Sequence, residues 1–94
     1  MKAVSNRRVR ENRQRHKLLV RLVRERGELC EVALPGCDGR AVDGHEVLAR
    51  SAGGSPVDEE NIRLVCRPCH VRIGARPLEA LELGFRRSSY GGDV

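Results

Sequence analysis

The chain has 94 residues, a formal net charge of +5, no Trp, one Tyr and one Phe. That length allows one domain with a thin apolar interior, so the fold needs a staple such as a disulfide, a structural metal or a second subunit. No run approaches the roughly 18 apolar residues that span a bilayer, and the first residues lack the apolar core of a secretory signal, so the expectation is a cytoplasmic protein with no membrane partner.

Charge is unevenly placed. Residues 1–26 hold ten Lys/Arg against two Glu, a net of +8, and residues 27–94 hold eight Arg against eleven Asp/Glu, a net of −3. A basic front ahead of a slightly acidic body predicts a polyanionic partner, nucleic acid before an anionic membrane surface.

From Arg7 to Arg26 there is no Gly or Pro, and Gly27 stands where helices commonly stop. One long basic helix is predicted. Leu18, Leu19, Leu22 and Val23 recur at helical spacing as a single stripe, while Arg13, Lys17, Arg21 and Arg24 lie mainly off it as candidate DNA-phosphate contacts. The part before His16 is almost wholly polar and is expected to order as an arm on DNA, with His16 a solvated helix residue. The chain thus divides into a basic arm and helix (1–26), a body (27–84) and a flexible polar tail (85–94).

Residues 28–40 read as a loop around Pro35-Gly36, and 41–50 as a strand or hairpin arm. Ser51 to Pro56 is turn-rich, Asp58 to Glu60 can make one short turn, and Ile62 to Val65 is a short apolar strand. A helix opens at Pro68 and runs to about Ala75; another spans Pro77 to Leu83 and stops at Gly84. The fold class is a small α+β domain with a long basic N-terminal helix and a short C-terminal one.

The staple is sought among the cysteines. Cys66 and Cys69 form a C-x2-C knuckle, and Cys30 and Cys37 a wider pair around the Pro-Gly turn. Two local thiolate pairs from distant segments are the usual source of a tetrahedral zinc site, which in a reducing compartment is favoured over two disulfides. Cys66 to His70 also spells C-x-x-C-H, the attachment sequence of c-type haem, but that chemistry goes with export and leaves Cys30 and Cys37 without a role.

His45-Glu46, six residues, Gly53-Gly54, then Asn61, then Cys66-x-x-Cys69-His70 form a pattern that resembles the HNH endonuclease family, over residues 30 to about 75. The likeness is to its small stand-alone phage and prophage members. It implies a ββα-metal finger, a metal-dependent enzyme that hydrolyses DNA phosphodiester bonds with weak sequence preference, and phage packaging (terminase) proteins as partners. It implies that His45 and His70 are ligands of a catalytic divalent cation such as Mg2+, Mn2+, Ni2+ or Zn2+, that Asn61 ties the turn together, and that Cys30, Cys37, Cys66 and Cys69 hold structural zinc. Arg50 joins the helix cations as a phosphate contact.

Glu46 departs from the pattern, because it stands where the family places its water-activating His. Its carboxylate is expected as a weak base, an added metal ligand or a mark of lost catalysis. A different register, with Asp43 as ligand and His45 as base, breaks the six-residue spacing. The competing reading is a non-catalytic zinc-containing DNA-binding or adaptor module that keeps the scaffold.

Overall fold

The computed structural model describes residues 6–88. Helix α1 (Asn6–Arg26) is followed by strand β1 (Asp43–Glu46), strand β2 (Ile62–Val65), helix α2 (Arg67–Ala75) and helix α3 (Pro77–Leu83). Short 3-10 turns occupy Arg50–Ala52 and Glu59–Asn61.

Local chemistry sets these limits. Helix α1 runs uninterrupted for want of Gly or Pro and ends at Gly27, whose N–H bonds the Val23 carbonyl at 2.8 Å. Helix α2 starts one residue before Pro68; Cys66 caps it by accepting the Cys69 N–H on its sulfur. Helix α3 has the expected limits, and Gly84 closes it in the left-handed conformation. The strand sought in 41–50 is confined to four residues.

The two strands pair antiparallel, with Asp43 opposite Val65, Gly44 opposite Leu64, His45 opposite Arg63 and Glu46 opposite Ile62. Alternation along a strand therefore puts Gly44, Glu46, Ile62 and Leu64 on one face, and Asp43, His45, Arg63 and Val65 on the other. Helix α1 covers the first face: Leu18, Leu22, Ile62 and Leu64 form one buried cluster. A Cβ at position 44 would stand 2.6 Å from Leu19 Cδ2, so glycine lets the helix approach β1 closely. On the second face Val65 joins Val32, Leu34, Cys66, Cys69, Ile73 and Ala80 in the other cluster.

Two expectations change. Only the second half of α1 was expected to hold the body, yet the anchor begins at Arg15, whose guanidinium donates to Gly44 O at 2.8 Å and Pro56 O at 3.1 Å. At the far end Arg26 donates to Ile62 O and Glu59 O, both at 2.9 Å. The flexible tail expected from residue 85 does not begin there either. Phe85 packs on the second cluster with its N–H on Ala80 O at 2.9 Å, and Arg87 N–H bonds Val47 O at 2.8 Å. The first residues of the arm (1–5) and the end of the tail (89–94) lie outside the described residues. Among those described, no helix is long and apolar enough to cross a membrane.

Candidate functional site

The loop after α1 and the start of α2 bring all four cysteines together. Their sulfurs lie within 4.8 Å of one another, and Cys37 Sγ is 3.7 Å from Cys66 Sγ. Zinc at about 2.3 Å from each of four tetrahedral sulfurs would hold them about 3.8 Å apart, so the donor set fits such an ion. All four are free thiols, with no disulfide. Burial opposes ionisation of Cys66, but N–H donors from Asp38 and Cys69 outweigh it and bring the thiol down to about 6. Burial, reinforced by neighbouring Cys66, pushes Cys69 up to about 12. The cluster could hold a metal ion such as zinc.

Next to this staple, β1 and α2 assemble a second group. His70, in the first turn of α2, places Nδ1 3.3 Å from Asp43 Oδ2. Ligand atoms about 2.1 Å from one octahedral or tetrahedral cation lie roughly 3.0 to 3.4 Å apart, so this pair is spaced to share one. Arg67 Nε, 3.4 Å from the same oxygen, partly balances the carboxylate. The rings of His45 and His70 meet edge to face with centroids 5.4 Å apart. His45 Nε2–H donates to Phe85 O at 2.6 Å, which fixes the tautomer and leaves Nδ1 with the lone pair. Burial holds the His45 pKa below its ordinary value despite the Phe85 carbonyl, and neighbouring His70 and Arg86 act in the same direction as burial.

Glu46 is not part of this group. It leaves the opposite face of β1, where Oε2 is 3.4 Å from Arg15 and Oε1 3.5 Å from Arg50. Strand alternation is the reason: neighbours on β1 cannot share a face, whereas Asp43 and His45 must. Asp43 therefore stands beside His70, where the resemblance had placed His45 as the partner ligand.

Asn61 ends the 3-10 turn that leads into β2. Its amide donates to Leu48 O and Ser55 O, both at 3.0 Å, and its oxygen accepts Leu48 N–H at 2.8 Å, closing the β1–β2 connection. The Gly-Gly turn lies within that loop. A Cβ on Gly54 would fall 1.8 Å from Leu48 O, so only glycine fits.

The cations sort unevenly. Arg13, Lys17 and Arg24 are exposed. Arg21 is engaged by Glu59 at 2.6 Å and Glu25 at 3.3 Å, and Arg50 by Glu46. Arg15 and Arg26, which the stripe reading passed over, hold backbone carbonyls instead. A signal for both was present: at 15, 18, 19, 22 and 26 they continue the apolar stripe of α1. Phe85, a lone aromatic, carried no motif.

Compared with protein-family models, with curated proteins and with solved structures, the chain has no match.

Proposed function

We propose that this chain is a metal-dependent DNA endonuclease of the HNH, ββα-metal type, with Asp43 and His70 as ligands of the catalytic cation and His45 as the base. The observation that carries the reading is the convergence of Asp43, His45 and His70 from β1 and α2, on a connection tied by Asn61. A divalent cation held by Asp43 and His70 would supply Lewis-acid stabilisation to the phosphate and its leaving oxygen.

His45 is suited to the proton. Its Nε2–H is committed to the Phe85 carbonyl, so Nδ1 accepts the proton of the water attacking phosphorus, and burial keeps the ring neutral for that step. Arg67 beside Asp43 and the exposed cations of α1 face a phosphate backbone as positioning contacts that carry no sequence information, so weak sequence preference follows. Zinc in the four-cysteine cluster would be structural, joining the loop after α1 to the start of α2 and so helping to set where His70 stands.

The non-catalytic module drew its motive from Glu46 as a lost catalytic residue. The ion pairs of Glu46 with Arg15 and Arg50 give that residue a structural role and so favour the enzyme reading. The test is nicking of supercoiled plasmid by the zinc-loaded protein with Mg2+, Mn2+, Ni2+ or added Zn2+, and its abolition in Asp43→Ala, His45→Ala and His70→Ala. Plasmid retarded in a gel yet uncut under every cation would establish the DNA-binding module instead.

A further inference from the structure

A cavity of about 370 Å3 opens beside His45, walled in part by Ser51, Leu81, Arg86 and Arg87. One side is the chain that follows α3, and this chain is pinned. The Phe85 carbonyl takes His45 Nε2–H at 2.6 Å, and the Arg87 N–H bonds Val47 O at 2.8 Å, so Arg86 is held between two anchored residues. Its own guanidinium has no hydrogen-bond or ion-pair partner among the described residues, and the residue is exposed. Glu46 also lines the cavity, and its carboxylate lies 3.4 Å from Arg15 and 3.5 Å from Arg50. What remains is an unmatched, always-charged planar fork on a cavity that His45 also lines. Such a fork matches two oxygens of a phosphate.

We propose that this cavity seats a phosphate group of the DNA backbone, gripped by Arg86 and presented to the His45 side of the site, with the Ser51 hydroxyl as a second donor. The step after seating rests on the nuclease reading above; the seat itself does not. It places the phosphate contact nearest His45 on the segment after α3, since the basic helix lies against the opposite face of the sheet.

Two measurements on the full, zinc-loaded chain separate the ideas. The first is a nitrogen-15 NMR titration with a short DNA duplex and no added divalent cation. Arg86 Nε–H and the Ser51 amide shift on binding, and Arg86→Ala flattens the log–log salt dependence of binding by about one, the counterion release of one phosphate contact. The second is plasmid nicking. Arg86→Ala, at unchanged melting temperature, lowers kcat/KM about 10- to 100-fold, the size of one charged hydrogen bond, and Arg86→Lys recovers part of it. Shifts confined to Arg13, Lys17 and Arg24 on α1, or Arg86→Ala nicking at the parent rate, would overturn the phosphate seat while leaving the nuclease standing. Duplex binding at Arg86 with no nicking under any cation supports the seat and removes the nuclease.

Discussion

His45 and Glu46 are adjacent on β1 and work on opposite sides of it: the imidazole reaches the Phe85 carbonyl at 2.6 Å, and the carboxylate lies between Arg15 and Arg50 at 3.4 and 3.5 Å. Glu46→Gln should therefore act on stability, lowering it by about 1–2 kcal/mol by leaving partly buried guanidinium charge unmatched, and should leave nicking nearly intact. Glu46→His should not raise cutting. Denaturant melts beside nicking rates check both; a folded Glu46→Gln protein as inactive as His45→Ala would return Glu46 to the chemistry.

Asp43 and His70 should govern cation binding, and His45 should not. In calorimetric titrations with Mn2+, Asp43→Ala and His70→Ala each weaken binding at least about tenfold, because even partners outside the ligand shell account for roughly 10- to 100-fold. His45→Ala keeps the Mn2+ affinity and loses about 100- to 10,000-fold in nicking rate, the range of general-base catalysis. Equal loss of Mn2+ binding in all three variants would make His45 a ligand instead.

The pH profile follows from burial of His45. The base works when neutral, and its pKa is held below the ordinary 6.5, so the acid limb of kcat/KM should lie below that value and vanish in His45→Ala. A cation between Asp43 and His70 moves the limb the same way. For stability the sign is this: below 6.5 and down to the folded pKa, the unfolded chain binds a proton at this position that the folded chain does not. Folding is therefore weakened as pH falls through that window and regained as pH rises. A limb above 6.5 would contradict the burial argument.

The cysteine cluster should couple folding to metal and to pH. Cys66 gives up its proton near 6 and Cys69 keeps its own to about 12, so zinc loading at pH 7 releases protons and tightens as pH rises. Chelation or Cys66→Ser should lower the melting temperature by more than about 10 °C, a loss of several kcal/mol in a domain of this size. A Cys66→Ser protein that melts like the parent would remove the metal from the account.

Loop closure should be strict. Asn61→Ala abandons three hydrogen bonds and should cost about 2–4 kcal/mol. Gly54→Ala, whose Cβ would strike the Leu48 carbonyl, should cost about 3 kcal/mol or more. Chemical denaturation of the two variants checks this, and wild-type midpoints would refute the geometry of the turn.

Punctuation made much of this fold legible. Gly27, Pro68, Pro77 and Gly84 mark helix limits within a residue or so, and the apolar run of Ile62 to Val65 has one reading. The site was harder. Strand β1 reads Asp-Gly-His-Glu: alternation alone puts Asp43 with His45 and Glu46 apart from them, but with no apolar residue to say which face is inward, the face that meets α2 emerges only from the register with β2. The helix misled for a related reason. Arg15 and Arg26 lie on the apolar stripe, but their use depends on strand carbonyls 29 and 36 residues away in sequence, which periodicity does not reveal.

Those two guanidiniums also cover backbone groups at the outer rims of the sheet. A ribbon of two strands has two outer rims, each a ready template for another chain's backbone. Arg15 caps the Gly44 carbonyl on one rim. Arg26 caps Ile62 on the other, where Glu31 takes both the N–H and the carbonyl of Leu64. The basic helix thus takes up two strand carbonyls that an uncovered rim would present to solvent.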